Sequence, residues 1–219
     1  MVGVVLYVLV DVILQMLPPH YSAISDAESN LAVGPFGWVM NLNFLGRGVT
    51  TVCALVAVSG TGLRTSARDA GTVLLMIGGA SSALLAILPT DVADASGAVT
   101  PTAGGIAHLW VAGSGFIAAL SGVLVLTVWV RNSRGLRRAH VPAVVLASVA
   151  TGGLLALGAS YGAAPAYLGL AERICLAAIL GWTFVVCAAI RRQSPGEPAV
   201  VSARGASGVP AGRSPGSPG

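Results

Sequence analysis

Seven charged, histidine or asparagine side chains stand inside predominantly apolar stretches: Asp11, Asn41, Asn43, Arg47, His108, Glu172 and Arg173. Two carboxylates and two guanidiniums are among them. Such charges are costly at membrane depth, so they pair with one another or line a cavity. Ion pairing among Asp11, Arg47, Glu172 and Arg173 would neutralise the set and hold helices in register. Alternatively, the same residues floor a polar cavity, with Asn30, Asn43, Arg47, Glu172 and Arg173 gripping a ligand's polar group. A second set lies in two polar loops, Ser25, Asp26 and Asn30 in ISDAESN and Thr90 and Asp91 in LPTD. Ser25 or Asp26 with His108 as base and Asp91 as orienter would follow the logic of an activated nucleophile. Ser22 and Ser29 lie in the same loop, so spacing does not select one serine. Each residue also has a plain structural role open to it. His108 can be a hydrogen-bonded packing residue, and Asp26 a turn former.

The elements that must position these groups follow from composition. The chain has 219 residues, 55% of them hydrophobic and 9% charged, with mean hydropathy +0.83. Soluble domains carry about 25% charged residues, so the bilayer is the solvent this chain fits. All twelve basic residues are arginines. They are not interleaved with aromatics, and nucleic acid is not an expected partner. Membrane lipids are, and a homo-oligomer or membrane-complex partner is compatible with small-residue helix faces.

Six apolar runs stand out, at about 2–17, 35–60, 71–89, 105–130, 141–163 and 167–190. A spanning helix needs about 20 apolar residues, which five runs satisfy. The first is shorter, contains Asp11 and lacks a flanking basic residue; a start codon assigned too far downstream would account for the shortness and the missing charge. It lacks the basic n-region of a signal peptide.

The loops after the second and fourth runs and the C-terminal segment hold ten of the twelve arginines. Loops 18–34, 90–104 and 164–166 hold none, and the first two carry Asp26, Glu28, Asp91 and Asp94. The positive-inside rule then predicts an all-α, polytopic six-span bundle with both termini in the cytoplasm and those three loops extracytoplasmic. The expected organisation is a transmembrane domain over 1–192 and a disordered Pro/Gly/Ser-rich cytoplasmic tail over 193–219.

At about 1.5 Å per residue, Asp11 lies about 9 Å below the outer end of its span and His108 about 6 Å below Gly104. On the same rise, Glu172 and Arg173 lie about 10 Å below Pro165, and Arg47 about 18 Å below Pro35. A long side chain can carry the Arg47 head outward. The four charges are therefore expected to meet in the outer half of the bundle.

Small residues should let helices approach in lipid: Gly78, Gly79 and Ser82 on the third span, Gly115, Ala119 and Gly122 on the fourth, Ser148, Gly152 and Gly153 on the fifth. Cys53, Cys175 and Cys187 lie inside spans and belong to no ligand pattern, so no metal site and no cofactor are expected. His20 follows two prolines in a loop, and His140 lies beside an arginine cluster. Trp38 suits an interface, and Trp129 and Trp182 suit packing or anchoring. No GxSxG, HExxH or P-loop motif occurs. LPPHYSAISD and LPTDVADASG echo one another as outward Leu-Pro exits followed by Asp.

The run YSAISDAESNLAVGPFGWVMNLNFLGRG, the LPTD exit, the GGIAHLW entry to the fourth span and GLAERICLAAILGW of the sixth resemble an integral-membrane family of bacteria and archaea, domain of unknown function 998. The resemblance covers about residues 5–190. It implies a polytopic helical membrane protein without an established activity. The polar ISD loop is also similar, more distantly, to Frag/DRAM-type six-span proteins, some linked to lipid-anchor remodelling. Three functions fit: an extracytoplasmic pocket for a lipid headgroup or small amphiphile, a membrane-embedded hydrolase or acyl transferase, and a structural subunit of a larger complex.

Overall fold

The computed structural model describes residues 1–18, 21–94 and 98–193. His20 and the tail beyond Gln193 lie outside them. The described residues form six α-helices and no strand: α1 (Val2–Leu14), α2 (Gly37–Ser59), α3 (Ser66–Leu85), α4 (Ala103–Asn132), α5 (Arg137–Gly162) and α6 (Leu168–Arg191). Four segments are long and apolar enough to cross a membrane: α2, α4, α5 with its preceding turn and α6 with its preceding turn. α1 has 13 residues, a rise of about 20 Å against a hydrocarbon core of about 30 Å. α3 carries Arg68 and Asp69 in its first turn.

The helix limits differ from the apolar runs where local chemistry overrides hydropathy. α3 starts at Ser66 because the Thr65 hydroxyl accepts the Arg68 N–H at 3.2 Å, an N-cap. It stops at Leu85 instead of running on to 89, because Pro89 disfavours helical backbone at the residue before it. α4 starts at Ala103 because the Thr102 hydroxyl accepts the Gly105 N–H at 3.0 Å. α5 begins at Arg137, upstream of Pro142, and takes the proline into its second turn.

Consecutive helices run antiparallel. On α1 and α2, Gly3 meets Thr50 and the Asn43 amide reaches the Tyr7 carbonyl. On α2 and α3, Gly48 meets Ala83 and Thr51 meets Gly79. On α3 and α4, Gly71 meets Leu126, Gly78 meets Ala119 and Ser81 meets Gly115. On α5 and α6, Gly153 meets Cys175 and Leu146 meets Gly181. α6 is central, packing on α1, α2, α4 and α5. The segments 15–36, 86–102 and 163–167 therefore share one end, the loop end. The turns 60–65 and 133–136 share the opposite, arginine-rich end.

The small-residue seams on α3 and α4 are as the sequence suggests: a Cβ on Gly78 would stand 2.6 Å from the Ala119 Cβ. On α5 the seam differs. Gly153 faces α6, but Ser148 and Gly152 point outward. The buried face is instead Ala139, Ala143, Ala147, Ala150, Gly153 and Leu157, spaced at three and four residues as one helix face requires.

Two apolar clusters fill the bundle. One, around Val58, Leu126, Trp129, Val130 and Trp182, lies toward the arginine end. There the Trp182 Nε1–H donates to the Thr127 hydroxyl at 2.8 Å. The other, around Tyr7, Leu31, Met40, Phe44 and Leu176, lies toward the loop end. Arg68, counted among the loop arginines, is only 8% exposed and donates to the Ser59 and Thr61 carbonyls at 3.1 and 3.4 Å, closing the end of α2.

Candidate functional site

The loop between α1 and α2 folds back onto the bundle. Within it, Asp26 makes a local turn. Its carboxylate accepts the Ser22 N–H at 2.8 Å, and its own N–H donates to the Ser22 carbonyl at 2.8 Å. Arg173 then clamps the turn from the first residues of α6. Its Nη1 donates to the carbonyls of Ala23 and Asp26, each at 3.0 Å, and of Gly169 at 3.1 Å. Its Nη2 donates to the Tyr21 hydroxyl, and the guanidinium lies 5.4 Å over the Tyr21 ring. Leu170 N–H donates to the Ile24 carbonyl at 2.9 Å. Only glycine suits position 169, because a Cβ there would strike the Asp26 carbonyl oxygen.

The docked loop inserts a short 3-10 turn, Glu28–Ala32, between α2 and α6. Glu28 is 2% exposed. The Tyr7 hydroxyl donates to its Oε1 at 2.8 Å, and its backbone N–H donates to Glu172 Oε2 at 2.8 Å. Burial pushes the Glu28 carboxyl up to about 8; Arg47 opposes this, while Glu172 and Asp11 add to it.

Arg47 approaches from α2. Its Nε donates to the Ser82 hydroxyl at 2.6 Å and its Nη1 to the Tyr7 hydroxyl at 3.4 Å. Ser82, 1% exposed, donates its own proton to the Phe44 carbonyl at 3.0 Å. The guanidinium also lies 5.4 Å over the Tyr7 ring and 5.8 Å over the Phe44 ring, within the range of cation–π attraction. Asp11 Oδ2 accepts from Gln15 Nε2 at 2.6 Å.

The charges thus gather near the loop end, as their depths suggest, but by a different pattern of contact. Asp11, Arg47, Glu172 and Arg173 form no direct ion pair with one another; direct pairs occur at the arginine end instead, as Arg64–Asp69 and Arg68–Asp69. Neutral hydroxyls and backbone groups contact these charges instead. Reading the residues alone missed Glu28, Tyr7, Tyr21 and Ser82. Tyr7 and Asp11 do stand four apart, hence on one helix face, which is the available signal. Nothing local separates Glu28 from an ordinary solvated loop acid.

The remaining candidates are held elsewhere. Asp91 holds Thr102, the N-cap of α4: Thr102 donates its hydroxyl to Oδ1 at 2.7 Å and its N–H to Oδ2 at 2.8 Å. These two bonds hold the Asp91 carboxyl below its usual range. His108 is 3% exposed, and its Nδ1 lies 2.8 Å from the Leu88 carbonyl, which α3 leaves unpaired by ending early. Ser25 donates its N–H to the Ser22 hydroxyl at 3.3 Å. Among the described residues no hydrogen bond links Ser25 or Asp26 to Asp91 or His108. Asn43 serves the Tyr7 carbonyl at 3.1 Å, and Asn30 belongs to the 3-10 turn. Among the described residues no three His, Cys, Asp or Glu side chains converge as metal ligands.

Two clefts adjoin the site. One, of about 230 Å³, is lined by Leu14, Leu17, Leu31, Val33, Pro35 and Phe36 among others. The second, about 50 Å³, lies between α2, α3, α4 and α6 with Arg47 and Ser82 on its wall.

A family model described as protein of unknown function (DUF998) matches residues 1–189. The chain belongs to that family. The DUF998 match takes in α1 through nearly all of α6, and so includes both the docked loop and every helix that meets it. It lends no support to the more distant Frag/DRAM likeness. No curated protein and no solved structure matches the chain.

Proposed function

We propose that this DUF998 protein crosses the cell membrane six times, with both termini cytoplasmic, and holds the apolar part of a lipid or small amphiphile at its extracytoplasmic loop end. The arginine distribution supports the orientation, and the antiparallel helices support a common side for the three acidic or neutral loops. The observation that carries the binding reading is the cleft of about 230 Å³ beside the docked loop. Its walls are apolar, and Asn30 and the polar loop edge adjoin Leu31. Drug-sized ligand sites occupy about 300–1,000 Å³, so the cleft suits one chain segment, with the headgroup outside it on the loop. Glu28 bonds Tyr7 and Glu172, so this reading puts the headgroup on the loop and not among the buried charges.

The test is native mass spectrometry of the full chain released from lipid nanodiscs. Wild type retains an amphiphile, and Val33→Trp, placed on the exposed wall of the cleft, loses it. Equal retention by the two proteins removes the basis of this reading. A second reading, a subunit of a larger helical assembly, is favoured by the outward position of Ser148 and Gly152 on α5. A cysteine at Ser148 would then form a crosslink in the membrane. Among the described residues, no hydrogen bond between Ser25 or Asp26 and His108 supports the hydrolase or acyl-transferase reading.

A further inference from the structure

We infer that Asp11, Glu28 and Glu172 form one proton-binding site, in which three carboxyls set against the guanidiniums of Arg47 and Arg173 hold a single exchangeable proton between Asp11 and Glu28. This goes beyond amphiphile binding and does not depend on it. The first argument is charge. Three carboxylates and two guanidiniums leave one negative charge over, and an uncompensated charge in a water-poor site is neutralised by taking up a proton.

The second argument is geometric and independent. Asp11 is 8% exposed, and its Oδ1 is buried without a hydrogen-bond partner. Tyr7, one helical turn from Asp11 on the same face of α1, donates to Glu28 Oε1, which sets the Glu28 carboxyl beside the Asp11 face. Two ionised carboxylates have no donor between them and repel; one protonated carboxyl facing a carboxylate supplies the missing donor. Tyr7 already occupies Glu28 Oε1, and Gln15 occupies Asp11 Oδ2. The shared proton therefore satisfies Asp11 Oδ1; Arg173 Nε is a second buried atom of this site without a hydrogen-bond partner. Binding it forms one O–H bond on a carboxylate and transfers no other group.

Among the described residues, the surroundings add no further cation. α1 contributes Tyr7 and Asp11, the loop Tyr21 and Glu28, and α2 Arg47. α6 contributes Glu172, Arg173 and the Cys175 thiol, and α5 faces Glu172 with Tyr161. From α3 only the neutral Ser82 reaches Arg47. Losing the proton would leave net negative charge under the docked loop, so the site couples proton binding to the loop's position.

Infrared spectroscopy of the full chain in nanodiscs tests this through the carbonyl stretch of a protonated carboxyl. Wild type at neutral pH shows one such carboxyl. Glu172→Gln, which equalises the charges while keeping an acceptor for the Glu28 N–H, loses the signal. Arg47→Gln, which removes a cation, doubles it. Asp69→Asn, at the arginine end, leaves it unchanged. Absence of the signal in wild type, its persistence in Glu172→Gln, or its loss on replacing choline with sodium at constant pH would each overturn the assignment.

Discussion

The backbone N–H of Glu28 donates to the Glu172 carboxylate at 2.8 Å across 144 residues of sequence. This bond ties the first loop to the helix at the centre of the bundle. Hydrogen bonds to charged groups contribute about 1.5–3 kcal/mol. Glu172→Ala should weaken loop docking by about that amount, and Glu172→Gln by less. Hydrogen exchange at the Glu28 amide reads the difference. Unchanged protection in the alanine variant would show that the bond does not hold the loop.

Glu28 makes docking pH-dependent. Its value in the folded chain, about 8, lies above its ordinary 4.5, so the folded state favours the protonated form. That contribution is full below about pH 4.5, is lost as pH rises, and has gone above about pH 8; the folded state binds the extra proton between those limits. Protease cleavage within 21–34 should therefore increase across this window, and Glu28→Gln should flatten the curve. Asp91 has the opposite sign. Its depressed value means its hold on the Thr102 cap of α4 is present at neutral pH and lost on acidification.

Arg173 holds three carbonyls and the Tyr21 hydroxyl with one planar group. Lysine carries the charge but not the fork or the stacking face. Arg173→Lys should destabilise the docked loop by about 1–3 kcal/mol, and Arg173→Ala by more. The measurement is chemical unfolding in detergent with a fluorophore on the loop, and equal midpoints for lysine and wild type would refute the clamp.

Ser82 stands between Arg47 and the Phe44 carbonyl. Ser82→Ala leaves a guanidinium N–H without its partner at little change in volume, a cost of about 1–3 kcal/mol. Thermal denaturation should show the loss, and Ser82→Thr should recover most of it.

The proposed orientation is tested by single cysteines in a background lacking Cys53, Cys175 and Cys187. A cysteine at Thr100, exposed in the α3–α4 loop, should react with an impermeant maleimide on intact cells. One at Ser133, in the α4–α5 turn, should react only after permeabilisation. The reverse pattern would invert the molecule in the membrane.

Hydropathy made the helices legible because lipid contact and helix burial both select apolar residues, and the runs differ from the helices mainly at their ends. Those ends depend on single groups such as Thr65, Thr102 and Pro89, which a window average conceals. The α5 seam was misplaced for a related reason. Ser148, Gly152 and Gly153 are all small, and only the neighbouring helix distinguishes the one that packs.

By itself, the chain's composition and pattern determined that it is helical and suited to a membrane, and its ordered motifs determined its family. They also brought Asp11, Glu172 and Arg173 to similar depth, since position along a helix converts directly to distance, with Arg47 deeper and reaching toward them through its long side chain. Tertiary structure alone decided what those charges touch. Glu28 looks like any loop acid until the loop closes on α2 and α6, because its burial depends on Arg173, Tyr7 and Glu172 meeting it from distant parts of the chain. Partner identity at such a site is a property of packing, and local residue pattern does not encode it.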